Sequence, residues 1–293
     1  MKVKNSLSIL SRASRTDLVL DPYPHLVIKN ALDPEIYAKL DAEFPSHEVI
    51  LDGRVIKDTW FDYPACKVVE DDRVSPLWRE FFKYHTSKEF FNELVDLTGE
   101  QILAIRPDLE YQVGRSLDDF IVGMRPGGRG DPLADGADVS TECQFYLNYT
   151  QKIRVVRGPH VDRPSELFAA LLYFRREDDL SSGADLTVCT GKEEIYPSAG
   201  KVKISKLPAE IDDGLVKTVE TIRYAANTLV LFLNSSKSIH AVTQRSPTNV
   251  PRRHINFCCD VRFDLFEIKL PVKLAAKKKL ENLPLGWRLA KFL

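Results

Sequence analysis

The chain has 293 residues, enough for one large domain or two small ones, and its 44% hydrophobic and 28% charged content gives it the means to bury a core. Lys plus Arg number 41 against 42 for Asp plus Glu, and a net charge of -1 argues against a dedicated nucleic-acid binder. No apolar run approaches the ~18 residues of a membrane-spanning helix, so no transmembrane segment is expected.

The five cysteines are odd in number and contain no Cys-x-x-Cys pair. They read as reduced, mostly buried thiols rather than a disulfide framework. Residues 1–16 carry Lys2, Lys4, Arg12 and Arg15, no acidic residue before Asp17 and no apolar core of a secretory signal. That stretch reads as a frayed basic arm, and the protein as cytoplasmic.

In chain order, His25 to Ile28 reads as a short strand after the Asp21-Pro22-Tyr23-Pro24 turn. Asp33 is placed to cap a helix with Pro34 at its first position, and Ile36, Leu40 and Phe44 make one apolar stripe before Pro45 ends it. Residues 75–98 predict a second helical region, with Trp78, Phe81, Phe82, Phe90, Phe91 and Leu94 at spacings of three and four. Aromatic stripes of this kind are core more often than cofactor box. Residues 1–112 are therefore expected to form a strand and helix support.

The stretch 113–142, with Arg125-Pro126-Gly127-Gly128-Arg129-Gly130, has no helical period and reads as a mobile loop. It lacks the Gly-Lys-Ser/Thr of a phosphate loop. Short β-branched or aromatic runs follow at Cys143–Tyr149, Leu167–Phe174, Ala184–Thr190, Val216–Tyr224, Thr228–Leu233 and His254–Phe263. No long amphipathic helix separates them, so antiparallel pairing and a jelly-roll or barrel-like core over 113–266 are expected. Residues 267–293 read as a basic helical tail.

The chemistry centres on His160-Val161-Asp162, between Pro159 and Pro164. The prolines exclude a helix and put the triplet at a strand end or edge. On an extended chain, residues two apart project to one side, so an imidazole and a carboxylate converge. A second histidine would complete a two-His, one-carboxylate metal face. His240 opens a strand after the Asn234-Ser235-Ser236 turn and suits that role. Farther on, alternation sets Arg253, Ile255 and Phe257 on one face and Arg252, His254 and Asn256 on the other. An arginine above two apolar residues fits a charged clamp at the rim of a dry pocket. His25, His47 and His85 have no ligand-like neighbours and read as structural or exposed. Arg157 reads as a partner for surface carboxylates or for an anionic substrate, the former favoured.

Over residues 143–264 the sequence resembles the 2-oxoglutarate- and iron(II)-dependent dioxygenases, in the prolyl-4-hydroxylase-like branch. The matching pieces come in order: His160-Val161-Asp162, Leu171-Leu172-Tyr173-Phe174, Gly183-Ala184-Asp185-Leu186, Ala226 to Phe232, His240-Ala241-Val242 and Arg253. The turn departs from the family in having Ala184 where a second glycine is usual.

The resemblance implies a mostly β fold with α, a distorted double-stranded β-helix with an N-terminal helical support. It implies iron(II) on His160, Asp162 and His240. It implies 2-oxoglutarate held by Arg253, with Arg252 as competitor, and by a pocket tyrosine, Tyr149 or Tyr146, of which Tyr149 is taken. O2 would be the oxidant and ascorbate an auxiliary reductant. The implied reaction is hydroxylation of an unactivated C–H bond with release of succinate and CO2, and Asp162 disfavours halogenation. The substrate class stays open among small molecules, amino acids, sugars and peptides. The alternatives are a cosubstrate-independent oxygenase of cupin type and a non-catalytic binding module on the same scaffold.

Overall fold

In the computed structural model, which describes residues 5–57, 59–128, 132–152, 154–192, 202–203 and 210–269, the helices begin where their caps stand. Helix α1 (Pro34–Ala42) starts on Asp33, whose carboxylate accepts from the Glu35 N–H at 2.9 Å. Short helices α2 (His47–Leu51) and α3 (Ala65–Val68) follow. Helix α4 (Pro76–His85) is capped by Ser75 and α5 (Lys88–Ile105) by Ser87, each hydroxyl accepting from a backbone N–H three residues on. A short α6 (Leu109–Val113) ends at Gly114 with φ 85°, a left-handed cap that favours glycine.

The buried stripe of α4 (Trp78, Phe81, Phe82 and His85) has the helical spacing the sequence predicts. Trp78 packs against Phe145 of the sheet and against Phe174 just beyond one of its strands, with centroids at 4.7 and 5.3 Å, and its Nε1 donates to the Leu40 carbonyl at 2.9 Å. A ring this enclosed contributes about 3–5 kcal/mol against truncation to alanine.

The strands are β1 (Leu18–Val19), β2 (His25–Lys29), β3 (Trp60–Pro64), β4 (Val122–Met124), β5 (Val139–Thr150), β6 (Arg154–His160) and β7 (Glu166–Tyr173). They continue with β8 (Leu186–Gly191), β9 (Val202–Lys203), β10 (Val216–Ile222), β11 (Thr228–Leu233), β12 (His240–Arg245), β13 (Thr248–Val261) and β14 (Ile268–Lys269). A large sheet runs β1-β2-β11-β7-β13-β5-β3, with β4 added parallel to β5, and a small sheet runs β10-β8-β12-β6. Apart from β4 on β5, the pairings within these two sheets are antiparallel. Strands β9 and β14 pair parallel as a separate ribbon.

The two sheets enclose Tyr173, Leu186, Val188, Tyr224, Val230 and Phe232, which makes the fold a distorted double-stranded β-helix. The outer face of the large sheet packs Phe145, Leu147, Phe168, Leu172, Leu231 and Ile255 into one core with α4 and α5. The large sheet is thus buried on both faces. Its strands β1, β2 and β3 come from the first third of the chain.

Two expectations need correction. Residues 5–13 are not a frayed arm: Leu7, Ile9 and Leu10 are buried, the Ile9 N–H donates to His85 Nε2 at 3.2 Å, and the Ser8 hydroxyl donates to Glu93. Nor is 113–128 a structureless loop, because Leu117 and Phe120 are buried and β4 pairs with β5. Arg125 in this stretch is itself buried, 2.5 Å from Asp260 and 3.4 Å from Glu142. All five cysteines are free, and four of them are buried. No helix among the described residues is long and apolar enough to cross a membrane. The basic tail expected after residue 269 lies outside the described residues.

Candidate metal centre

Strand β6 ends on His160 at the edge of the small sheet, and β12 begins on His240 directly opposite it. Two residues on, Asp162 turns to the same side, as an extended segment between prolines dictates. The three ligand atoms lie within 4.8 Å of one another, and all three side chains are buried. His160 Nε2 is 3.8 Å from Asp162 Oδ1, and His240 Nε2 is 3.6 Å from Asp162 Oδ2.

Each ring nitrogen has a defined duty. His160 Nδ1 lies 2.8 Å from the Gly158 carbonyl and His240 Nδ1 lies 2.9 Å from the Ser238 carbonyl. A carbonyl only accepts, so both Nδ1 atoms carry the proton and both Nε2 lone pairs face Asp162. Backbone orientation of this kind is how metal-binding histidines are usually held. His160 Nε2 is buried without a hydrogen-bond partner among the described residues. Burial, then His240 and Arg157, hold the His160 imidazole well below its ordinary pKa, while Asp162 opposes them. A neutral imidazole is the form a cation requires. Two nitrogens, one carboxylate and an open side suit an iron(II) face.

The cluster opens on a cavity of about 800 Å³ whose far wall is the inner face of the large sheet. Gln144, Tyr146 and Asn148 of β5 and Arg252, His254 and Asn256 of β13 line it. Arg252 is 3% exposed, its guanidinium carbon 4.9 Å from the ring centroid of Tyr173 and 5.0 Å from that of Tyr224. Its Nε donates to the Ala184 carbonyl at 3.2 Å and its Nη1 contacts His254 Nδ1 at 3.1 Å. Nη2 and the Tyr173 hydroxyl are buried with no hydrogen-bond partner among the described residues. Burial, opposed by the arginine, pushes the Tyr173 hydroxyl up to about 12, so it stays protonated. A guanidinium and a phenol thus meet there, a setting that suits an anion.

Arg253 is not in this cavity. It faces the helices, 2.5 Å from Asp41, with its Nε donating to the Phe174 carbonyl at 3.0 Å and its charge over Phe44. Tyr149 also faces outward, its hydroxyl 3.1 Å from His47 Nδ1 and its ring edge-on to Phe61. The alternation itself holds; the face was assigned the wrong way round. The apolar row of β13 packs the helical layer, and the polar row lines the cavity.

No protein-family profile and no curated protein matches the chain. Solved structures are similar at low identity. A prolyl 4-hydroxylase from Phytophthora capsici aligns at 14% identity and TM-score 0.41, covering 81% of this chain and 59% of its own. The chain thus spans under two thirds of that protein's length. A Pseudomonas putida prolyl-4-hydroxylase aligns at 14% and 0.39, covering 81% and 92%. HygX from Streptomyces hygroscopicus, with nickel and 2-oxoglutarate bound, aligns at 13% and 0.39, covering 82% and 83%. In fold, the chain resembles the 2-oxoglutarate- and iron(II)-dependent oxygenases.

The turn at Gly183-Ala184 has positive φ at both residues, 76° and 63°. A side chain on Gly183 would lie 1.8 Å from the Gln244 carbonyl oxygen, so the backbone approach there demands glycine. The same turn directs the Ala184 carbonyl at Arg252. Sequence reasoning also missed Trp60, Gln144, Asn148 and Asn256. Arg157 lines the cavity, 3.9 Å from Asp162. For the sheet residues a signal existed: 142, 144, 146 and 148 are polar in step with 252, 254 and 256. For Trp60 there was none.

Proposed function

We propose that the protein is an Fe(II)- and 2-oxoglutarate-dependent oxygenase that hydroxylates an unactivated C–H bond, releasing succinate and CO2. The observation that carries this reading is the buried cluster of His160, Asp162 and His240, with both Nε2 atoms turned inward by backbone acceptors. These three residues would hold the iron. Arg252, with the Tyr173 hydroxyl beside it, would hold the far carboxylate of 2-oxoglutarate through charge-assisted hydrogen bonds. When bound, the metal and its cosubstrate supply the activation of O2 that no amino-acid side chain provides.

The chain's own residues do the rest. Phe232, packed 4.4 Å from the His240 ring, keeps water from one side of the cluster. Arg157 balances the charge of Asp162 at the open side. The two backbone acceptors hold the imidazoles neutral and oriented. An oxygenase of cupin type without a cosubstrate would leave the buried Arg252 guanidinium without a use.

The test is anaerobic titration with Fe(II) and 2-oxoglutarate, followed by the visible charge-transfer band, and then succinate formation in air. His160→Ala and Asp162→Ala are expected to abolish the band. An unchanged band in both variants overturns the assignment.

A further inference from the structure

Arg157 and His160 stand three residues apart on β6, an odd spacing that would set their side chains on opposite faces of a regular strand. The pairing with β12 changes this. His240 lies opposite His160 but Val242 lies opposite Arg157, so two steps along β12 are matched by three along β6. The extra residue is a β-bulge, and it turns Arg157 to the cavity side, the side that His160 also faces. The bulge contains Gly158, whose carbonyl orients His160 Nδ1. It is therefore part of how the metal site is built, and it aims a guanidinium at that site's open side.

Little in the protein engages this guanidinium. It is 3.9 Å from Asp162 Oδ1, beyond hydrogen-bond distance, and its side chain is 42% exposed. Among the described residues no other acid lies within ion-pair range of it. The remaining charges of the cavity wall are engaged: Asp62 with Arg54 at 3.3 Å, Arg163 with Glu166 at 2.9 Å, and Glu210 with a group other than Arg157. A divalent cation on the cluster would take the Asp162 carboxylate. That cation, Asp162, the two carboxylates of 2-oxoglutarate and Arg252 together carry no net charge, so the positive charge of Arg157 is left over. A neutral substrate closing on Arg157 would bury an unpaired charge, which is costly. A cationic one would be repelled. One carboxylate matches the planar fork through two parallel hydrogen bonds. Val155, two residues along the same face and 52% exposed, offers an apolar surface beside it.

We infer that the substrate carries a carboxylate on an apolar body, and that Arg157 binds this carboxylate beside the metal. This rests on the oxygenase reading above and deepens it. Arg157 then fixes how far the oxidised C–H bond lies from the substrate's acid group. An amide of the same substrate lacks the charge and is rejected.

The experiment uses protein loaded with Zn(II) and saturating 2-oxoglutarate, which cannot turn over. Saturation-transfer NMR titrations compare N-acetylleucine, N-acetylphenylalanine and hydrocinnamic acid, each beside its carboxamide. At least one acid is expected to bind at least about tenfold more tightly than its amide, as one charge-assisted hydrogen bond contributes. Arg157→Gln should reduce that preference to about twofold or less, and Arg157→Lys, which guards against a loss of fold, should keep part of it. Amides bound as tightly as acids, an acid preference unchanged in Arg157→Gln, or no acid bound by the parent protein overturns the inference. So does a rise of about tenfold or more in the 2-oxoglutarate Kd of Arg157→Gln, which would put the guanidinium on the cosubstrate instead. The charge-transfer band of the Fe(II) protein is recorded in parallel: its absence marks failure of the oxygenase reading, and its presence isolates a failure of the carboxylate assignment.

Discussion

Exchanging the two neighbouring arginines of β13 for alanine separates the faces of the sheet. Of the three guanidinium nitrogens of Arg252, two are engaged within the protein and Nη2 is not. A charge-assisted hydrogen bond from such a group contributes about 1.5–3 kcal/mol, which converts to a roughly 10- to 150-fold rise in the 2-oxoglutarate Kd for Arg252→Ala. Arg252→Lys should recover only part of this, because an ammonium cannot present a planar fork. Arg253→Ala removes the contact with Asp41 and the donor to the Phe174 carbonyl. It should lower stability by about 1–3 kcal/mol and leave the cosubstrate Kd within about twofold. The assay is anaerobic titration of the Fe(II) protein with 2-oxoglutarate, with a denaturant melt of each variant. A large rise in Kd for Arg253→Ala and none for Arg252→Ala would refute the assignment of the faces.

Three further outcomes are expected. Arg125→Met leaves Glu142 and Asp260 buried without their shared arginine and should cost about 3–5 kcal/mol in urea unfolding; a loss under about 1 kcal/mol would contradict the pairing. Gly183→Ala should destabilise by more than the ~1–2 kcal/mol of left-handed strain alone, because its Cβ would meet the Gln244 carbonyl, whereas Ala184→Gly relieves strain at φ 63° and should raise the melting temperature. His85 is held near pKa 3 by burial against an ordinary 6.5, so the unfolded chain takes up its proton first as pH falls. Its contribution is whole above pH 6.5 and declines below, by about 2 kcal/mol at pH 5. His85→Gln, which preserves a donor and an acceptor, should flatten that part of the stability profile, and parallel slopes in variant and parent would rule this out.

The helix start at Asp33 and the strand Thr228–Leu233 were legible because their signals are local: a capping side chain, a proline, an unbroken apolar run. The His160, Asp162 and His240 cluster was legible because spacing and strand position put all three on one side of the chain. The arginine was misread for a physical reason. A sheet covered by helices outside and by a second sheet inside has two buried faces, and its more apolar face packs the helices. The row Arg253, Ile255 and Phe257 therefore marked the helical layer, and the polar row marked the ligand side. Trp60 reaches the cavity only through the pairing of β3 with β5, a contact spanning more than eighty residues that no local pattern announces. Leu7, Ile9 and Leu10 were hidden among basic residues, too few to form a period, although each is buried.

The most direct test of the central claim is anomalous diffraction at the iron K-edge from crystals grown anaerobically with Fe(II). The expected result is one strong peak at bonding distance from His160 Nε2, His240 Nε2 and an Asp162 carboxylate oxygen. A map with no peak among these three side chains, from crystals whose solution retains iron, would contradict it.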